Sequence, residues 1–217
     1  MYLPYLRPGG CTVAGIKRRA RRAAPGKIRI IGGRLRGSVL EVPDRPGLRP
    51  TPNRLRETLF NWLQPSLAGA ACLDLFAGSG ALGVEALSRG AGRVQLVERD
   101  AGLAAALRAN LQRLDRERTT GVHAGDACVF LDAAAPVPFD IAKPFDVIFV
   151  DPPFAAHLWE PVIARLQTGN WLAPRAWIYL EMPAGMHVTV PSTWHVEREK
   201  DVGDVHAMLC RRQLGTR

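Results

Sequence analysis

An aspartate followed by two prolines and a phenylalanine, Asp151-Pro152-Pro153-Phe154, is the most chemically specific feature of this 217-residue sequence. It directly follows the apolar run Phe145-Asp146-Val147-Ile148-Phe149-Val150. The consecutive prolines Pro152 and Pro153 fix the backbone. They hold the Asp151 carboxylate and the Pro152 carbonyl as two neighbouring acceptors, and Phe154 offers a ring on which a planar base can stack. Two acceptors side by side suit an amino group on a heteroaromatic ring. Such a nitrogen is a poor nucleophile because its lone pair is delocalised. Hydrogen bonds accepted from both its N–H groups draw it toward tetrahedral geometry and aim the lone pair at an electrophilic methyl, so catalysis is mostly positioning and electrostatics. Once methylated the nitrogen is acidic, and Asp151 or water takes the proton. A rigid Pro-Pro loop alone would not account for the acid before it, the aromatic after it, or the strand presenting them.

Three further groups of residues suit a nucleoside-containing cofactor. Asp74-Leu75-Phe76-Ala77-Gly78-Ser79-Gly80-Ala81-Leu82-Gly83 reads as a buried strand running through a glycine-rich turn into a helix. Its glycines remove Cβ atoms where a ligand approaches the backbone. The spacing contains G-x-G-x-x-G, so a nicotinamide dinucleotide is one reading. Asp74 favours S-adenosylmethionine, because a carboxylate there receives an ammonium but would repel a pyrophosphate. Glu98, followed by Arg99, ends a strand 20 residues after Gly78 and is placed to accept from both ribose hydroxyls of either cofactor. Asp126 and Ala127 follow a third strand. They either meet an adenine amino group and ring nitrogen, or form a plain turn and helix cap.

The net charge of +9 is concentrated at one end. Residues 1–58 hold 14 Lys and Arg against three acids, whereas residues 59–217 hold 15 against 17. A basic end on a nearly neutral body suggests a polyanionic partner. The four cysteines and five histidines are scattered, without metal-ligand spacing, so no metal is expected. No apolar run is long enough to span a bilayer, and the start of the chain lacks a secretory pattern. The expected location is the cytoplasm.

The elements that must position these residues follow from periodicity. Residues 1–26 mix Pro, Gly and basic residues and read as a disordered tail. Residues 27–50 form a basic β-hairpin extension: Ile28 to Ile31 is strand-like, Gly32-Gly33 permits a turn, and Leu35 to Val42 returns. Residues 51–217 form the main domain, opening with a helix over Arg54 to Leu63. Strands are expected at 71–76, 93–98, 120–124, 145–150 and 176–181, alternating with helices at 81–88, 101–114, 127–134 and 159–167. A hairpin around Gly203, over 196–200 and 206–212, closes the chain. This alternation implies an α/β fold, a mostly parallel sheet covered on both faces, with an antiparallel strand at its C-terminal edge.

With these motifs assembled, the chain resembles the Rossmann-like class I methyltransferases that act on amino groups. More closely, it resembles the bacterial family that methylates the 2-amino group of a guanine in 16S ribosomal RNA. The resemblance is carried by Ile28-Arg29-Ile30-Ile31-Gly32-Gly33-Arg34 with Arg36-Gly37, by Leu48-Arg49-Pro50-Thr51, by Arg54-Leu55-Arg56-Glu57-Thr58-Leu59-Phe60-Asn61-Trp62-Leu63, by Cys72 to Gly83, and by Phe149 to Phe154. It runs from about Lys27 to the C-terminal hairpin. It implies a seven-stranded sheet, S-adenosylmethionine as methyl donor, and the small ribosomal subunit or its assembly intermediate as substrate. It also implies roles for Arg56 and Glu57 near the cofactor and target base. On this reading Arg29, Arg34 and Arg36, with Lys27, grip RNA phosphates, the guanine is turned out of its stack, and the protein acts as a monomer. One departure is a lengthened Ala- and Pro-rich loop over Ala133 to Pro144. The alternatives are a nicotinamide-dependent reductase, a silent RNA-binding module, and a methyltransferase for adenine N6 or a protein amide.

Overall fold

The computed structural model describes residues 26–43, 53–116, 118–132 and 144–213. The expected tail over residues 1–25 and most of the loop over 133–144 lie outside the described residues.

Two short strands, β1 (Gly26–Arg29) and β2 (Val39–Val42), pair antiparallel. Then come α1 (Asn53–Leu67), β3 (Ala71–Asp74), α2 (Ala81–Ser88), β4 (Arg93–Glu98), α3 (Ala101–Leu114), β5 (Thr120–Ala124), α4 (Ala127–Asp132) and β6 (Phe145–Val150). A single 3-10 turn over Phe154–Ala156 leads to α5 (Trp159–Thr168), β7 (Leu172–Pro183), β8 (Trp194–Val202) and β9 (Val205–Arg212). Seven strands form one sheet in the order β5-β4-β3-β6-β7-β9-β8. The contacts from β5 to β7 are parallel, and β9 runs antiparallel to both β7 and β8.

The apolar pattern explains the layers. Strand side chains alternate between faces. Cys72, Val147, Phe149 and Tyr179 join the core formed with α1, α2 and α3. Leu73, Ile148, Val150 and Leu180 join the core formed with α4 and α5. Placing β9 inside the sheet also has a physical reason. Its Ala207-Met208-Leu209-Cys210 run is buried, whereas β8 exposes His195 to Asp201, a charged surface that discourages edge-to-edge pairing. The antiparallel strand is therefore one position in from the edge that the sequence suggested.

Helix α1 runs four residues past the expected end, carrying Pro65 in its last turn and burying Leu67. Strand β3 stops two residues early, because the main chain turns at Leu75 and Phe76.

The hairpin also differs from expectation. Its return strand begins at Val39 rather than Leu35, because the intervening loop docks on α2 instead of pairing. The Ile31 and Gly32 amides each donate to the Glu85 carboxylate at 2.8 Å. Arg34 N donates to Ser88 O at 2.7 Å and Leu35 N to Ser88 Oγ at 2.9 Å. Gly33 has φ of +75°, and a Cβ there would collide with the Ser88 carbonyl. On the other side, Asn110 of α3 exchanges hydrogen bonds with the Glu41 backbone at 3.1 and 2.9 Å. Buried Ile30, Leu40 and Val42 complete the attachment. The extension is thus packed onto the domain it precedes.

Candidate functional site

The carboxyl ends of the parallel strands carry a row of acids. Parallel register sets Asp74 of β3 opposite Leu96 of β4 and Phe149 of β6. Glu98 and Asp151 therefore lie two residues further along the strands on either side, about 7 Å beyond Asp74 and about 10 Å apart across the sheet. Asp126 follows β5, whose Ala124 pairs with Glu98. The chain goes from β3 out to β5 and returns to β6 on the other side of β3. Ligands of open α/β sheets bind at such a reversal, outside the strand ends.

Asp74 is 1% exposed. Its Oδ2 accepts from Gly83 N at 3.0 Å, and the Phe76 amide also bonds to it. Burial pushes its carboxyl up to about 7; the Gly83 and Phe76 amides oppose this, and Glu98 adds to it. Gly80, at the start of α2, has φ of +81°. A side chain there would strike Leu107 at 2.5 Å, so the turn requires glycine. Gly78 N donates to Glu98 Oε2 at 2.8 Å and Asp100 N to Glu98 Oε1 at 2.6 Å, which locks the glycine loop to the tip of β4. Ala77 N reaches Val97 O at 2.9 Å. Ala77 and Ser79 are buried, Phe76 is half-buried, and Arg99 is exposed. Asp126 Oδ1 accepts from Cys128 N at 2.8 Å and Val129 N at 3.2 Å, so this side chain caps α4, with Ala127 buried behind it. Each carboxylate retains acceptor capacity after these bonds.

This donor and acceptor set fits S-adenosylmethionine. A buried acid whose carboxyl is held near neutrality gains most from an ammonium partner, and a pyrophosphate against it would be repelled. The pH dependence follows from that position. Without ligand, the folded chain protonates Asp74 near pH 7, whereas an unfolded aspartate protonates near 4. The folded state therefore binds more protons between those values, and stability falls as pH rises from about 4 to about 7, by a few kcal/mol from this group (about 1.4 per pH unit). Ligand ammonium demands the ionised form. S-adenosylhomocysteine affinity is expected to weaken about tenfold for each pH unit below 7. Calorimetric titration across that range checks this, and a flat profile would count against Asp74 as the ammonium site.

Asp151 is half-buried, Pro152 is buried and Pro153 is exposed. Phe154 lies half-buried in the 3-10 turn, its ring 6.2 Å from that of Trp159 and packed toward the α4–α5 core. Arg29, Arg34 and Arg36 are exposed along the hairpin, and Arg29 Nη1 donates to Gly37 O at 3.0 Å. Arg56 is elsewhere than at the strand ends: it is 1% exposed, beneath the hairpin. Its Nη2 donates to Arg29 O at 3.1 Å and Asn53 Oδ1 at 2.6 Å, and Nη1 lies 4.0 Å from Glu85 Oε2. Burial lowers its pKa, while Glu85 and Glu57 raise it. Glu57 is exposed. Sequence reasoning passed over Glu85 and Glu181, both buried. An acid inside an apolar helix or strand was the available signal, since such residues are seldom buried without a partner.

The comparisons agree with this geometry. The model of the family described as Conserved hypothetical protein 95 matches residues 28–211. Ribosomal RNA small subunit methyltransferase D of Escherichia coli K12 is 47% identical over 189 residues, 87% of this chain and 91% of that protein. The solved structure of the candidate methyltransferase yhhF of Escherichia coli has 45% identity and a TM-score of 0.76, covering 87% of this chain and 99% of that one. A candidate SAM-dependent methyltransferase from Streptococcus mutans, 16% identical with a TM-score of 0.64, covers 81% of this chain and 53% of that one, and shares the fold. The chain belongs to the Conserved hypothetical protein 95 family, with the ribosomal RNA small subunit methyltransferases D among its relatives and the Rossmann-like fold of S-adenosylmethionine-dependent methyltransferases.

Proposed function

We propose that this protein transfers a methyl group from S-adenosylmethionine to the exocyclic N2 of a guanine in 16S ribosomal RNA of the small ribosomal subunit. The observation carrying this reading is the placement of Asp151-Pro152 beside Asp74 and its glycine loop, at the reversal point of the sheet. The 47% identity to Ribosomal RNA small subunit methyltransferase D supports the RNA class, and the resemblance of residues 28–83 and 149–154 supports guanine.

S-adenosylmethionine, when bound, supplies a sulfonium methyl. Asp74 holds its ammonium, Glu98 accepts from the ribose, and Asp126 with the Ala127 amide meets the adenine. Phe76, Ala77, Gly78, Ser79 and Gly80 shape the loop around it, and Arg99 borders the ribose side. The Asp151 carboxylate and the Pro152 carbonyl each accept one N–H of the target amino group, turning its lone pair toward the methyl. Pro153 keeps that pair of acceptors rigid, and Phe154 stacks on the base. After transfer, Asp151 or water takes the proton. Residues 27–50 serve as the RNA-binding extension, with Arg29, Arg34 and Arg36 on phosphates, so affinity falls as salt rises. Arg56 sustains that role by holding the hairpin, beside exposed Glu57.

Tritiated methyl transfer onto unmodified small subunits, followed by nucleoside analysis, tests the reading. The expected product is 2-methylguanosine. N6-methyladenosine, or label in protein, would replace guanine by one of the other amino acceptors.

A further inference from the structure

Glu181 is a buried acid beside the site that the reaction described above leaves without a task. It stands on β7 one residue beyond Leu180, the register partner of Val150, so continuation of that register sets it beside Asp151. Alternation along the strands places Tyr179 and Glu181 on the same face as Phe149 and Asp151. Glu181 is 4% exposed. The Tyr179 hydroxyl donates to its Oε2 at 2.9 Å, and Trp159 Nε1 donates to its main-chain oxygen at 2.8 Å. Tyr179 is itself wedged, its ring 6.4 Å from that of Phe149, which lies 5.9 Å from that of Phe60. The strand and one carboxylate oxygen are thus fixed from both faces of the sheet. Besides burial, the negative charges of Glu181 and Asp151 both push the Tyr179 phenol upward, which puts the three groups within electrostatic reach of one another. A second acid this close to Asp151 costs stability, and an apolar residue would pack the core better. Its chemistry is informative: an ionised carboxylate only accepts hydrogen bonds and has room for several.

The geometry points to Glu181 as the residue that selects guanine, its carboxylate accepting the base N1–H while Asp151 and Pro152 engage N2. Guanine presents N1–H next to its 2-amino group. Adenine presents a lone pair at N1, which a carboxylate repels. A site built to accept from a donor rejects analogues lacking it, because its buried oxygen is then left unpaired. This assignment rests on the guanine-N2 reading above.

The test uses small subunits reconstituted on RNA carrying either guanine or 2,6-diaminopurine at the methylated position. Diaminopurine keeps the 2-amino group but has a lone pair at N1. The unaltered enzyme is expected to methylate it about 10–100-fold more slowly than guanine. In Glu181→Gln the amide can donate to that lone pair, so the guanine preference should shrink by about tenfold or invert, with S-adenosylhomocysteine affinity and melting temperature near those of the parent. A purely structural role would slow both substrates alike, and an unchanged ratio overturns the assignment. If the variant does not fold, the unaltered enzyme decides: equal rates on both bases overturn it. Methylation of a base other than guanine fells the functional reading as well, whereas guanine methylation without discrimination fells this inference alone.

Discussion

Replacing Asp151 with alanine is expected to lower methyl transfer by about 10²–10³-fold, the loss seen when one preorganised electrostatic contact to a transition state is removed, while S-adenosylhomocysteine binds nearly as before. The separation follows from the layout. The residues assigned to the cofactor lie on β3, the glycine loop, β4 and the start of α4. Asp151 lies after β6, on the other side of β3. Removing its carboxylate leaves Asp74 bonded to Gly83 and Glu98 bonded to Gly78. Asp151→Asn should retain measurable turnover, because its amide oxygen still accepts one N–H of the target amine. Single-turnover transfer with saturating methyl donor, paired with calorimetric titration, distinguishes the two effects. Full activity in the alanine variant would remove Asp151 from the mechanism.

Glu85→Gln is expected to produce the largest loss of stability, about 3–5 kcal/mol, the range found when one partner of a buried ion pair is removed. Glu85 is 0% exposed. Its carboxylate accepts from Arg89 Nε at 2.7 Å and from the amides of Ile31 and Gly32, with Arg56 Nη1 at 4.0 Å. Among the described residues Arg56 Nε and Nη1 have no hydrogen-bond partner, so its charge depends on Glu85. The variant keeps the volume but turns an acceptor-only group into one carrying donors, facing two backbone donors and two guanidinium groups. The hairpin should loosen from α2, and RNA affinity should fall with it, because Arg29, Arg34 and Arg36 lose their common platform. Urea unfolding midpoints and RNA titration at fixed salt check both parts. An unchanged midpoint would show that the hairpin is held by its apolar residues alone.

Much of this protein could be read from local pattern. The strands over 93–98, 120–124 and 145–150 and the helices over 81–88 and 101–114 fall where expected, because each is set by periodicity within a few residues. The placement of the acids at strand ends was also legible, since Asp74, Glu98, Asp126 and Asp151 each sit where an apolar run stops. Boundaries governed by distant partners were not. The hairpin loop does not pair across because Glu85 and Ser88, more than fifty residues away, capture its amides. Arg56 reads as a surface helix residue beside Glu57, yet that loop covers it.

The chain alone determined where a rigid acceptor pair and a glycine turn would form, since proline, glycine and strand propensity act over neighbouring bonds. Only the folded sheet decided that β6 returns beside β3, that β9 slips between β7 and β8, and that Glu181 stands next to Asp151. Which buried charge meets which partner depends on strand order and register. Those are set by closing the whole core, where an unpaired ion is too costly to leave.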